Sequence, residues 1–321
     1  YFAGNQIGGD SYSSYVNGFL NTATSHTFEN GRGVLTFAEP VTSLPMGAFD
    51  DCKELTGVLL PDGVTEIRES AFSNCLNLKS IELPSSLEYI GAAAFENTGL
   101  TSVDIPESVQ YIGYTWGVMN SGVPANHYEN PFIWCRSLAS FTGKYATPDG
   151  LFLVDDGYLV SGAIGAPDLG EGKYCVIPDE GTTIGKCALF SGQFSYLDLG
   201  GTQVLGEQCF RTCENLIYFD MGPDVTEIRS YAFWQASALS VVYFTKVGSL
   251  PAVSADAFEG CTEGLCLRIT GYHSAHANED WHVSSIKSHV IVDQVPNEVW
   301  IHFDGNPSVF PDAVDQKMAN A

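Results

Sequence analysis

The sequence predicts an α/β repeat solenoid: β-rich, right-handed coils stacked so that their first strands form one parallel sheet, capped at both ends. Three observations carry this. Phe49, Phe72 and Phe95 are spaced by 23 residues, with Cys52, Cys75 and Thr98 three positions behind them. Pro40, Pro61, Pro84 and Pro106 mark a second recurring position, followed by Val41, Val64, Leu87 and Val109 and then by Leu44, Ile67, Ile90 and Ile112. The same phase returns at Val225, Ile228, Ala232, Phe233 and Leu239, and again at Ala257, Phe258 and Cys261. Apolar residues at fixed offsets and a period of this length are the mark of stacked supersecondary units.

Each part of the unit follows from its pattern. Ile81 and Leu83 alternate with Ser80 and Glu82, the period of two of a short strand with one buried face. The following Pro84 cannot donate to a ladder and ends that strand. Leu87 and Ile90 point inward from the second side of the coil. Small Ala94 beside large Phe95 makes the third side a short turn of helix or 3₁₀ whose ring plugs the interior. Cys52, Cys75, Cys135, Cys213 and Cys261, three residues after their rings, are small apolar fillers. One coil cannot cover its own inward side chains, so stacking buries them, at roughly 1.5–3 kcal/mol for each fully buried residue.

The run P-x-x-V-x-x-I-x-x-x-A-F-x-x-C-x-x-L resembles the BspA-like leucine-rich repeat family of bacterial surface proteins. The likeness covers most of the chain in about nine coils. Segment 141–163, FTGKYATPDGLFLVDDGYLVSGA, resembles a variant coil in which that family inserts a hairpin. Leu189 stands for the Phe, Cys209 for the Ala, and Gly200 and Gly222 for the Pro. The resemblance implies a secreted or surface-anchored, non-enzymatic binding protein, and the family as a whole gives no single ligand.

The domain reading follows. Residues 1–33 form an N-terminal cap, with Val16, Phe19 and Leu20 available to cover the first coil. Residues 34–271 form the solenoid, interrupted by a loop at 113–131 and a hairpin segment at 144–173. Residues 272–321 form a C-terminal cap and tail, in which 290–303 read as one or two closing strands. In the hairpin, Asp155-Asp156-Gly157 is turn chemistry, with too few oxygen ligands for a calcium loop.

Net charge −24 argues against nucleic acid and anionic membrane as partners, since both need basic patches. Nine cysteines are an odd number, and five sit at the filler position, so reduced, buried thiols are expected. The chain has no initiator Met, no signal-peptide pattern and no apolar run long enough to span a bilayer. A mature or trimmed chain is expected, its export signal or anchor upstream; the extracellular or cell-surface location rests on the resemblance. No phosphate loop, dinucleotide fingerprint, nucleophile elbow or paired CxxC occurs. Gly9-Asp10-Ser11 has no partner block. No enzyme activity and no cofactor are expected.

Alternation gives the outward residues of the first strands. One column holds Ser80, Ser102, Ser140, Tyr174, Tyr196 and Tyr218; the next holds Leu59, Glu82, Asp104, Thr142, Val176, Asp198, Asp220 and Tyr243. Tyr174, Tyr196 and Tyr218, flanked by Asp198 and Asp220, make an amphipathic ribbon suited to a protein or glycan partner, host molecules included. Trp116 and Tyr128 offer a second candidate, a lip formed by the long loop. The expected function is an adhesion-type binding protein, monomeric. The alternatives are a passive spacer of a surface protein and a metal-dependent hydrolase using His273, His276 and His282 with Glu279 and Asp280. The spacing of those histidines follows no zinc motif, and a capping helix with Tyr272, Ala275 and Trp281 is the plainer reading.

Overall fold

A computed structural model of the chain describes residues 2–4, 18–115, 129–244, 251–261, 265–270 and 290–295. They form a parallel-sheet solenoid of about eight turns with little helix, against the nine coils expected. Two ladders carry the strands. First strands pair in parallel from 174–176 through 196–198, 218–220, 241–244 and 265–270 to 290–295. The short second strands do the same, from 43–44 to 111–114 and from 158–162 to 252–253.

The third side differs from expectation: it is a pair of tandem turns and holds no helix. Gly47, Phe49 and Asp51 donate their N–H groups to the carbonyls of Glu69, Ala71 and Ser73 on the next coil. Between them, the N–H groups of Ala48, Asp50 and Cys52 close turns onto Pro45, Gly47 and Phe49. A helix directs its N–H groups along its own axis, and so not sideways toward a stacked coil. The alternation needs two left-handed residues four apart, and they recur: Ser70 and Asn74 (φ 54° and 59°), Ala93 and Asn97 (53° and 54°), Gln208 and Thr212 (56° and 53°).

The expected ring stack is present. Phe49–Phe72, Phe72–Phe95 and Phe95–Phe132 have centroids 5.1, 5.4 and 5.4 Å apart and planes within 8° of parallel. Phe210, Phe233 and Phe258 continue it beyond the Leu189 coil, at 5.2 and 5.0 Å. At the N-terminal end Phe19 meets Phe49 edge-on at 5.4 Å. There an antiparallel hairpin, 23–29 with 32–37, turns at left-handed Asn30 and Gly31. Strand 2–4 lies between that hairpin and first strand 55–59, antiparallel to both.

The inserted hairpin, 152–155 with 158–162, turns at left-handed Asp156 and Gly157, and its second strand heads the ladder to 183–184. The chain then cuts back, with Gly165 N–H donating to the Leu138 carbonyl, so this coil builds no tandem turn of its own. The turn at 130–135 consequently meets the turn at 186–191 directly. Buried Asn130 donates through Nδ2 to the carbonyls of Cys187 (3.0 Å) and Ala188 (3.2 Å), and its Oδ1 accepts from Phe132 N–H (2.7 Å).

Cys52, Cys75, Cys135, Cys175, Cys187, Cys209 and Cys213 are buried free thiols, and Cys261 is a half-buried one. They do more than fill space. The Sγ of Cys75, Cys135, Cys213 and Cys261 donates to the carbonyls of Phe49, Phe95, Leu189 and Phe233, the plug position of the coil before, at 3.0–3.3 Å. Burial pushes the Cys135 thiol up to about 11 and those of Cys52, Cys187 and Cys261 up to about 12, from an ordinary 9.0.

Two outcomes test this architecture. Phe72→Ala removes a fully buried ring from the middle of the stack and is expected to lower stability by about 3–5 kcal/mol in urea unfolding. An unchanged midpoint would contradict its role as a plug. The thiols give the second. Their folded pKa values lie above 9.0, so the unfolded chain releases protons that the folded chain keeps. Their stabilisation is whole below pH 9 and is lost as pH rises from 9.0 toward about 12. The urea midpoint should fall from pH 8.5 to 10.5 under reducing conditions, and less steeply in a Cys135→Ala/Cys213→Ala variant (about 2 units is the span in which a normal thiol ionises). Equal slopes would contradict it.

Candidate binding surface

The first strands carry their outward residues in the expected register. Tyr174 pairs with Tyr196 and Tyr196 with Tyr218, while Val176, Asp198, Asp220 and Tyr243 pair in the adjacent column. The Tyr174 and Tyr196 rings stack with centroids 6.2 Å apart and planes 21° from parallel. Val176 is 53% exposed and Asp198 is exposed beside them. Tyr218 differs: at 4% exposure its ring is closed off from solvent. Alternation fixes which side of the strand a residue leaves from, and says nothing of what lies over it. The open part of the ribbon is therefore Tyr174 and Tyr196.

The aspartates have a local task as well. Asp198 Oδ1 accepts from Gly200 N–H and Asp220 Oδ1 from Gly222 N–H, each at 2.9 Å. Both glycines are left-handed, with φ of 50° and 65°. These Asp-x-Gly turns end the strand where other coils use Pro, which explains the two departures from the repeat. Burial, then the charges of Asp198 and Asp220, push the Tyr174 phenol up to about 12. It stays protonated at neutral pH.

Trp116 and Tyr128 lie outside the described residues, as do Gly9-Asp10-Ser11, Val16, the tail histidines and the Tyr243 side chain. Among the described residues no group of three His, Cys, Asp or Glu side chains could hold a metal ion. No helix among them is long and apolar enough to cross a membrane.

The model of the BspA type leucine rich repeat region matches six copies in this chain, over residues 23–116 and 172–264, more than half of its length. The chain belongs to this family. The interval between the two matched stretches holds the long loop and the inserted hairpin coil. Among solved structures, the pneumococcal vaccine antigen PcpA is similar at 19% identity and a TM-score of 0.52, over 77% of this chain and 69% of that one. A leucine rich cell surface protein from Faecalibacterium prausnitzii A2-165 is 24% identical with a TM-score of 0.49, over 72% of this chain and 64% of that one. At these identities the PcpA likeness speaks to the fold alone. No curated protein matches the chain.

On the turn side of this BspA-type solenoid the structure assembles residues that strand alternation could not reveal. Ile133, Cys187 and Phe190, with Ala93, form a small apolar cluster separate from the main core. Trp134 meets Phe190 edge-on at 5.2 Å, and its Nε1 donates to Ser191 Oγ at 3.1 Å. Arg211 lies 5.0 Å over the Phe190 ring and 3.9 Å over Trp234, which packs 5.3 Å from Tyr231. The signal was available: Phe190, Arg211 and Trp234 each follow their plug residue by one position. In a tandem turn that position points away from the main core, where Phe190 joins the separate cluster of Ile133 and Cys187.

Proposed function

We propose that this protein is an extracellular, non-enzymatic binding module of the adhesion type, presenting its first-strand sheet to an extended protein or glycan partner. The observation that carries this reading is the stacked Tyr174–Tyr196 pair, held in register by parallel strands beside Asp198. Tyr rings offer broad contact area at low entropic cost, and each brings a hydroxyl. Asp198 Oδ1 is engaged by Gly200, and the second oxygen has no partner among the described residues, so it can accept from a hydroxyl or ammonium group. Membership in the BspA-type family supports a repeat-based binding role. A surface location agrees with the description of the Faecalibacterium relative as a cell surface protein.

A screen against a glycan array and a panel of purified extracellular host proteins tests this. Tyr196→Ala should weaken the interaction by about thirtyfold or more, the loss typical of an interface aromatic worth ~2 kcal/mol, and should leave the unfolding midpoint nearly unchanged. Binding by the Tyr174→Ala/Tyr196→Ala variant as tight as wild type would move the partner off this sheet. A screen with no retained partner would favour the spacer reading.

A further inference from the structure

The turn side carries a second surface, on a different side of the coil from the tyrosine sheet. We infer that the ridge of Trp134, Arg211 and Trp234 binds a carbohydrate bearing a carboxylate, as uronic and sialic acids do. Three observations lead there. The first is the uncompensated cation. Lys53, Arg68, Lys186 and Arg229 each lie within 2.9–3.8 Å of a carboxylate oxygen. Arg211 has no such ion pair among the described residues, a lack it shares with Arg32, Lys79, Arg136, Lys144 and Lys173; what sets it apart is its place between two aromatic rings in a chain of net charge −24. Its Nη1 donates to Gln208 Oε1 at 2.8 Å, and its Nε–H is buried without an acceptor.

The second observation is how the guanidinium is held. Phe190 on one coil and Trp234 on another both present their rings to it, so stacking on aromatic faces holds the cation in place of a carboxylate. A guanidinium so stacked has its remaining donors in its own plane, the geometry that takes the two oxygens of a carboxylate side by side. The third is the aromatic frame. Trp134 and Tyr231 occupy left-handed turn positions, at φ 60° and 57°, that other coils fill with small or polar residues such as Ser70, Asn74, Ala93 and Gln208. Bulky rings persist there against the backbone preference, one at each end of the ridge.

The partner class follows from area and polarity. Phe190 is 4% exposed and Trp134 36%, so the ridge offers a narrow aromatic rail. A stable protein interface takes about 800 Å² from each partner. A sugar needs less: its C–H face lies on a Trp ring, its hydroxyls meet side chains such as exposed Gln235, and its carboxylate meets Arg211. The negative field of the whole chain opposes an anion at long range. At 0.15 M salt that field is screened beyond about 8 Å, which leaves the contact at Arg211 to decide recognition.

The test is a glycan array carrying uronic- and sialic-acid glycans, the methyl esters of the same glycans and neutral glycans, read at 0.15 M salt. Wild type should retain a carboxylated glycan and lose at least tenfold on its methyl ester. Arg211→Gln and Trp234→Ala should each lose at least tenfold, with Arg211→Lys between, while Tyr196→Ala binds these glycans as wild type does. Unfolding midpoints check that the variants fold; if one does not, the ester comparison on the wild-type protein stands alone. Absence of any retained carboxylated glycan, equal retention of acid and ester, or a ridge that captures only proteins would each overturn the inference. Retention lost in Tyr196→Ala and kept in Arg211→Gln would also overturn it and would place glycan binding on the sheet face.

Discussion

Every coil of this solenoid must hydrogen-bond to the next on all three of its sides, and the rest of the structure depends on that requirement. Parallel strands meet it on two sides without special residues. The third side must turn the chain sharply and still send N–H groups to the neighbour. Tandem turns do both, because alternate N–H groups close the turn while the others cross to the next coil. The left-handed residues at 70 and 74, or 208 and 212, are the backbone cost of that arrangement. The crossing bonds in turn set the spacing at which Phe49, Phe72 and Phe95 stack and at which the cysteine thiols reach the carbonyls of the preceding coil.

The hairpin coil shows what happens when the requirement is relaxed. Without a tandem turn of its own, it leaves the flanking turns to meet each other, and Asn130 supplies through its side chain the bonds that a coil would have supplied through its backbone. Buried amides with three satisfied bonds hold geometry firmly, since losing them would strand polar groups in the core. The same juxtaposition brings Trp134 against Phe190 across a sequence separation that no regular period would bridge. The irregular coil and the aromatic ridge thus have a common origin. Val160, Leu159 and Phe152 in the hairpin keep the main core continuous through the interruption.

Much of the fold was legible because the repeat is an apolar pattern, and burial answers to apolar pattern. Phe72, Ile90 and Leu87 are fully buried where their periodicity places them. The strand columns were legible for the same reason, down to the pairing of Tyr174 with Tyr196. The third side was not, because Ala-Phe with a following Cys suits a helical turn as well as a tandem turn. The discriminating signal, Asn or Gly four residues from another left-handed position, is weak when Ala93, Gln208 or Tyr231 occupies it. Tyr218 was legible in column and hidden in burial, since alternation carries no information on what lies over a strand residue. The ridge is not legible for a related reason: the geometry of a turn decides which way its residues face, and the Ala-Phe-x-x-Cys pattern suits two turn geometries.

The central claim, that the third side is stitched coil to coil through its backbone, is open to amide hydrogen exchange. The N–H groups of Phe49, Phe72, Phe95, Phe210 and Phe233 each donate to a carbonyl on the next coil and should exchange only through large-scale unfolding, together with the strand amides. Exchange of these five amides at the rates of surface loops, ahead of the strands, would show that the turns bond within their own coils and would contradict the account.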